Sequence, residues 1–154
     1  TNNETASKIR QTFSYIFDEN TFRGGGIPTV NLYEIDLNPF DVFGQKVIPI
    51  EYLHGPTKVY GFRIGDLAYM TDCSFIPEEE YDKLKGLKVL IIDALRYRPH
   101  ETHFSIDEAV AAAQKINADQ TYFTHMTHDI VHDEANKKLP SRIEFAYDGL
   151  EFEV

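Results

Sequence analysis

Apolar residues recur at helical spacing near the start of the chain and at strand spacing after it. Between residues 4 and 18 they lie three or four positions apart, which predicts an amphipathic helix. Four runs rich in β-forming residues follow, at 30–37, 46–53, 58–64 and 67–71. The Gly65-Asp66 pair between the last two runs is typical of a two-residue hairpin turn. Because turn residues separate the runs, we expect these strands to pair antiparallel as a meander.

Strand and helix patterns alternate in the second half of the chain, which indicates an α/β arrangement. The best-marked helix begins after Ser105, because Ser105 and Glu108 have the spacing of a capping box. The predicted elements are a short helix at 77–85, a strand at 88–94, a helix at 105–116, a strand at 121–124, a helix at 128–139 and a closing hairpin across Asp148-Gly149.

Composition limits the classes of protein that fit this pattern. A chain of 154 residues with 42% hydrophobic content can bury one core, so we expect a single domain over 1–154. The formal charge of −10, without a basic cluster, argues against a nucleic-acid partner. The single cysteine, Cys73, fits a reducing compartment. No apolar run approaches the roughly 20 residues that span a bilayer. The composition therefore predicts a soluble cytoplasmic protein without a membrane partner.

Polar residues occur where predicted strands end. His54, Asp72, Asp93 and His125 each lie at or near such an end. Because neighbouring strands end at a common edge of a sheet, we expect these side chains to converge there. Histidine and aspartate suit Zn²⁺ and similar ions, and a bound metal can lower the pKa of water to about 7. A turn histidine or a capping aspartate would explain any one of them, but the set predicts a metal site.

Three further motifs in the sequence bear on its function. The glycines at 24–26 resemble a phosphate loop, but no Lys-Ser/Thr follows them, so they predict a turn. His128 and His132 are four residues apart, but Asp129 stands where the H-E-x-x-H motif has glutamate. His132 is therefore interpreted as a solvated helix residue. His103 directly precedes the capped helix, where free N–H groups favour an anion.

An ordered set of motifs resembles the second half of the metallo-β-lactamase-fold hydrolases. The motifs are EYLHGP, VYGFRIGDLAYMTDCSFIP, VLIIDALRYRPHETHFSIDEA, YFTHMTHDI and FAYDGLEFEV, and the resemblance extends from about Phe13 onward. The chain is most similar to the branch of the cyclic-phosphate phosphodiesterase accessory to carbon–phosphorus lyase, with ribonuclease Z as a more distant relative. The resemblance implies an α/β fold class, as the C-terminal part of an αββα four-layer sandwich.

The resemblance also implies a set of metal ligands. His54 would bind the first metal, His125 the second, and Asp72 would bridge the two. The intact family site holds two divalent metal ions, Zn²⁺ or Mn²⁺. With only these three ligands, we expect weak metal binding or none in this chain.

Catalytic and substrate-binding roles follow from the same resemblance. His103 would contact the scissile phosphate and protonate the leaving oxygen, so Asp72 and His103 are the expected catalytic residues. His128 would contact the substrate together with His103, or support the residues that do. His100 and Asp93 have weaker claims to the site.

One family motif, H-x-H-x-D-H, is absent from the sequence, in which His54 is the first histidine. The resemblance implies that this cluster, with the N-terminal half of the fold, would precede Thr1. One apolar sheet face would then lack its partner. We therefore expect this chain alone to be inactive and to self-associate as a dimer through that face.

For the intact parent, the resemblance implies a binuclear hydrolase whose metal-bridging hydroxide attacks a small phosphodiester. Two alternatives stay open. One is a non-catalytic interaction domain on the same fold, in which the histidines are structural. The other is a thioester or lactone hydrolase, which keeps the metals and changes the substrate.

Overall fold

The chain forms two compact units, Thr1–Asn38 and Pro39–Val154, in a computed structural model that describes residues 1–18, 20, 24–26 and 28–154. The predicted glycine turn lies partly outside this range, because residues 21–23 and 27 are not described. Its glycines at 24–26 are exposed. None of the helices in the described part combines the length and apolar composition that crossing a bilayer requires.

The first unit contains two helices, α1 (Asn3–Thr12) and α2 (Ser14–Phe17), which are separated by a turn at Phe13. Asn2 caps α1, because its Oδ1 accepts a hydrogen bond from the Thr5 N–H at 2.8 Å. The predicted strand at 30–37 is wrong. This segment bonds to the start of the chain instead of a sheet, since the Ile35 N–H donates to the Thr1 carbonyl at 2.9 Å.

The second unit is a seven-stranded mixed sheet in which the strands follow chain order. β1 to β4 pair antiparallel, and β4 to β7 pair parallel. The strands are β1 (Phe40–Val42), β2 (Gln45–His54), β3 (Thr57–Ile64), β4 (Leu67–Met70), β5 (Val89–Asp93), β6 (Gln120–Thr124) and β7 (Ile143–Phe145). The predicted meander is confirmed for the runs at 46–53, 58–64 and 67–71, and the α/β class is confirmed.

Helices connect the parallel strands. A 3₁₀ helix (Glu78–Leu84) links β4 to β5, α3 (Ile106–Ile116) links β5 to β6, and α4 (His132–Asn136) links β6 to β7. The predicted capping box at the start of α3 is confirmed: the Ser105 N–H donates to Glu108 Oε2 at 2.8 Å, and Ser105 Oγ accepts from the Glu108 N–H. The helix predicted at 128–139 begins only at His132.

The end of the chain differs from the prediction. Asp148 and Gly149 do form a turn, but residues 150–154, all described, contain no strand. β7 instead pairs parallel with β6. Phe152 stacks on Tyr122 of β6, with ring centroids 5.2 Å apart. The closing hairpin is therefore wrong, because the last apolar residues cover the sheet instead of extending it.

The core lies on one face of the sheet. Its buried side chains include Ile50, Met70, Leu90, Ile92 and Phe123 from the strands, together with Ala109, Ala113 and Ile116 from α3. Gly61 of β3 belongs to this face, and a Cβ there would lie 2.7 Å from the Tyr69 carbonyl oxygen and 2.9 Å from the Tyr52 ring. The sheet can therefore pack the Tyr52 ring over β3 only because position 61 has no side chain.

The opposite face of the sheet is also apolar. Phe62 pairs with Tyr69 and Ile64 pairs with Leu67, so all four side chains lie on the face away from the core. Tyr69 is 50% exposed and Ile64 is 41% exposed. A partly open apolar surface remains over the centre of the sheet.

Candidate metal centre

Strand direction brings the candidate ligands to one edge. β2 and β4 run the same way, because both are antiparallel to β3, and β5 and β6 are parallel to β4. The carboxyl ends of these four strands therefore share an edge. His54 ends β2 and Asp93 ends β5, whereas Asp72 and His125 follow β4 and β6 directly or within two residues. The structure brings all four together.

Asp72 and His103 are the centre of this group. One ligand atom from each of His54, Asp72 and His103 lies within 4.8 Å of the others. His125 Nε2 is 3.6 Å from Asp72 Oδ1, and His103 Nδ1 is 3.8 Å from the same oxygen. The His103 ring also stacks on the His125 ring, with centroids 4.8 Å apart. One oxygen of Asp72 thus lies close to both His103 and His125.

The loop before α3 orients His54. The His54 Nδ1 lies 2.8 Å from the Thr102 carbonyl oxygen. A carbonyl oxygen can only accept, so the Nδ1 of His54 carries the proton and its Nε2 keeps a free lone pair. This is the arrangement by which proteins commonly prepare a histidine to bind a metal. The Thr102 carbonyl can approach because residue 55 is glycine: a Cβ there would lie 2.8 Å from Thr102 Cγ2.

A buried carboxylate, that of Asp93, supports His103. The carboxylate is fully buried, its Oδ1 accepts from the Cys73 N–H at 2.9 Å, and its Oδ2 lies 3.3 Å from His103 Nδ1. Burial raises the pKa of Asp93 to about 7. Burial, together with the nearby His125 and His54, lowers the pKa of His103. In the sequence, Asp93 was only a secondary candidate for the site. An acidic residue at the end of a buried apolar strand is nevertheless the pattern that indicates this contact.

Two residues of the group have a left-handed backbone. Asp72 has φ 60° and His125 has φ 63°. Residues other than glycine rarely adopt this region, and such strain is concentrated at functional sites. Both residues lie just past a strand end, where the turn aims their side chains at each other.

The remaining histidines differ in position. The His100 ring lies 5.2 Å from the His103 ring. His128 is exposed, and among the described residues no hydrogen bond, ion pair or ring contact links it to the group, so its substrate role stays a prediction. The interpretation of His132 as a solvated helix residue needs correction. It begins α4, but its Nε2 lies 3.1 Å from the Phe145 carbonyl oxygen, so the side chain is half-buried against β7.

Residues 1–126 match the family description of the beta-lactamase superfamily domain. The chain belongs to this superfamily. A crystal structure of a new diphosphatase from the PhnP family superposes with a TM-score of 0.86 and 40% sequence identity, over 97% of this chain and 55% of that one. The metallo-beta-lactamase fold protein YhfI from Bacillus subtilis superposes with a TM-score of 0.61 and 21% identity, over 74% of this chain and 52% of that one, which is a likeness of fold alone.

A curated relative is named for different chemistry. The octanoyltransferase of Porphyromonas gingivalis (strain ATCC BAA-308 / W83) is 34% identical over 146 residues, which are 93% of this chain and 29% of that protein. The chain therefore spans less than a third of this relative and about half of each matched structure. The resemblance to the metallo-β-lactamase-fold hydrolases near the PhnP branch is confirmed, as is the fold class. The members of this superfamily are hydrolases.

The donor set of this superfamily member fits a divalent cation. It combines imidazole nitrogens with one carboxylate, which are the ligand types that Zn²⁺ and Mn²⁺ accept. His54 is also held by a second residue in the orientation that binding requires. Which residues bind metal and which take part in catalysis stay predictions.

Proposed function

We propose that this chain supplies part of the site of a metal-dependent hydrolase that cleaves a small phosphodiester. The observation that carries the proposal is the convergence of His54, Asp72, His103 and His125, with His54 and His103 each fixed through Nδ1. The 40% identity to a PhnP-family diphosphatase supports a phosphate substrate. The proposal includes a cytoplasmic location and no nucleic-acid partner, consistent with the formal charge of −10.

His54, Asp72 and His125 would hold the metal, and His103 is near enough to contribute. When bound, a divalent ion would lower the pKa of a water ligand to about 7 and offset the negative charge of the phosphate. The Thr102 carbonyl keeps the Nε2 lone pair of His54 free, and Asp72 lies near His103 of the loop before α3 and near His125, which follows β6. His103 would protonate the leaving oxygen, with Asp93 fixing its ring.

A binuclear site requires more ligands than these residues provide. Three or four donors can complete one four-coordinate ion but not two. We propose that the second ion depends on an H-x-H-x-D-H cluster outside this sequence. This chain alone would then bind metal weakly and be inactive.

The proposal is tested by metal content and turnover. We would compare this chain with a version extended upstream, measuring bound Zn²⁺ and Mn²⁺ by elemental analysis and hydrolysis of bis(p-nitrophenyl) phosphate and a ribose cyclic phosphate. The extended protein should hold about two ions and turn over both substrates, as binuclear hydrolases do. Absence of turnover with every metal tested would refute the hydrolase.

The proton-donor role of His103 has its own test, based on leaving groups. p-Nitrophenolate leaves without a proton at neutral pH, whereas a ribose hydroxyl needs one. In the extended protein, His103→Ala should therefore reduce kcat on the cyclic phosphate at least tenfold more than on bis(p-nitrophenyl) phosphate. Equal losses on both substrates, together with lost metal, would make His103 a ligand instead.

Acyl hydrolysis is the second candidate, because the Porphyromonas gingivalis relative is named for transfer of an octanoyl group. The same ligands could act on a thioester or lactone. Faster turnover of an octanoyl thioester than of either phosphodiester would favour it. An interaction domain remains the third reading, and it predicts unchanged stability with chelator and intact function in His54→Ala.

A further inference from the structure

The backbone N–H and the backbone carbonyl of Thr102 contact two different histidines. Its N–H donates to His100 Nδ1 at 3.3 Å, and its carbonyl oxygen accepts from His54 Nδ1 at 2.8 Å. Thr102 Oγ1 lies 3.2 Å from the same nitrogen of His100. The partner of His54 is an acceptor, and the main-chain partner of His100 is a donor. The two rings are therefore held in opposite tautomers.

The tautomer of His100 follows from that contact. A backbone N–H can only donate, so Nδ1 of His100 must present its lone pair. A neutral ring with a lone pair on Nδ1 carries its proton on Nε2. Nε2 of His100 thus carries an N–H donor, whereas Nε2 of His54 carries a free lone pair. His100 is therefore unsuited to bind a metal through Nε2 and suited to bind a hydrogen-bond acceptor.

The location of His100 indicates which acceptor. Its ring is half-buried, and its centroid lies 5.2 Å from that of His103, which in turn lies 4.7 Å from that of His54. The loop that carries it is braced, because the Arg96 side chain donates to the carbonyls of Arg98 and Pro99 at 3.2 and 2.8 Å. His100 is therefore a donor on a braced loop, with its ring beside that of His103 at the candidate site.

We propose that His100 is a substrate-binding residue, whose Nε2–H donates to a non-bridging oxygen of the phosphate group. The inference rests on the proposed phosphodiesterase function. An N–H donor requires an acceptor atom with a free lone pair, which a phosphate oxygen supplies. Hydrogen bonds to a charged acceptor are stronger than neutral ones, so the contact favours a phosphate oxygen over an ester carbonyl.

Nuclear magnetic resonance can read the tautomers directly. Long-range proton–nitrogen spectra of the full-length, Zn²⁺-loaded protein should give an Nε2–H pattern for His100 and an Nδ1–H pattern for His54. Titration with inorganic phosphate should shift the Nε2 resonance of His100. An Nδ1–H pattern for His100, or no shift at saturating phosphate, would overturn the proposal.

Two amide variants provide the matched comparison. Glutamine extends its NH₂ to about the position of Nε2, whereas asparagine reaches only the position of Nδ1. His100→Asn should weaken phosphate binding and raise KM roughly tenfold, the loss expected for one hydrogen bond to a charged group. His100→Gln should lose less phosphate affinity than His100→Asn, because it keeps a donor near the position of Nε2. A loss in His100→Asn no larger than that in His100→Gln would overturn the proposal, because asparagine keeps only a group at the Nδ1 position that Thr102 contacts.

The outcome is separable from that of the proposed function. Phosphate binding that depends on His100, in a protein without turnover, would support the donor and refute the hydrolase. Turnover with indistinguishable wild-type and His100→Asn kinetics would do the reverse.

Discussion

Asp93 illustrates how a single residue outside the ligand set can control it. Its carboxylate has no exposed surface, and its two oxygens join the Cys73 N–H to the His103 ring. Because the ring nitrogen that faces Asp93 is Nδ1, the other nitrogen of His103 is the one available to a ligand. The buried carboxyl group of Asp93 therefore helps to orient the His103 ring.

Asp93→Asn is expected to reduce metal affinity through His103, one of whose ring nitrogens lies within 4.8 Å of ligand atoms of His54 and Asp72. An amide could still accept from the Cys73 N–H, but its NH₂ would face Nδ1 of His103 and favour the opposite tautomer. Loss of such a supporting partner costs about 10–100-fold in metal affinity. The measurement is Zn²⁺ affinity by chelator competition, on the metal-loaded, extended protein.

Asp66→Asn is the matched control for that substitution. Asp66 lies in the β3–β4 hairpin, at the opposite end of β4 from Asp72, and pairs with Lys88 at 3.4 Å. It should keep wild-type affinity. If both variants bind Zn²⁺ as the wild type does, the role given to Asp93 is wrong.

Residue types at strand ends could be predicted from the sequence, but their contacts could not. His54, Asp72 and His125 were found because each ends a recognisable apolar run. The contact of Asp93 with His103 and the opposite tautomers of His54 and His100 depend on how residues 95–104 fold over the sheet edge. No spacing rule gives that path, since loop conformation is set by tertiary hydrogen bonds such as Phe104 N–H to the Cys73 carbonyl at 2.6 Å.

Among the secondary-structure elements, local pattern succeeded where the partner was adjacent in sequence. The β2–β3–β4 meander was predicted because a turn motif joins each pair. The segment at 30–37 has the same β-forming residues but bonds to the start of the chain, and the last residues cover the sheet instead of pairing with it. Alternation of apolar and polar residues indicates an extended chain. It does not identify the neighbouring strand with which that chain pairs.

Gly61→Ala should destabilise the meander. The new methyl would lie 2.7 Å from the Tyr69 carbonyl and 2.8 Å from Met70 Cγ, so β3 or its neighbours must shift. Overpacking of this kind costs about 1–3 kcal/mol in free energy of unfolding. The measurement is equilibrium denaturation in urea.

Gly26→Ala provides the comparison, because a methyl there would meet nothing within 4 Å. It should change the free energy of unfolding by less than about 0.5 kcal/mol, or raise it slightly by restricting the unfolded chain. Equal stability of the two variants would mean that β3 and β4 are more loosely packed than the distances indicate.

For the whole molecule, the most prominent surface feature is the partly open apolar face of the sheet. Tyr69 and Ile64 remain about half exposed on it, and Phe152 covers only the neighbourhood of Tyr122. The sequence predicted an unpartnered apolar face from the resemblance, although no pattern within the chain shows what covers it. Self-association through this face stays a prediction.

Tyr69→Lys is expected to shift the chain from dimer to monomer. A charge at the centre of the face would have to be buried without a partner in the dimer, which is strongly unfavourable. Sedimentation velocity over a range of concentrations measures the change. Val131→Lys, on an exposed residue of the segment before α4, should leave the association unchanged. A wild-type chain that is monomeric at every concentration would contradict the prediction.

The left-handed backbone of Asp72 and His125 has an evolutionary consequence. Glycine would occupy both positions without the steric cost, which is on the order of 1 kcal/mol for each other residue. A lineage selected only for heat resistance would therefore drift toward glycine at 72 and 125. Under the proposed function, glycine at either position would relieve the backbone strain but remove a metal ligand, so gain of stability and loss of activity would occur in the same mutation.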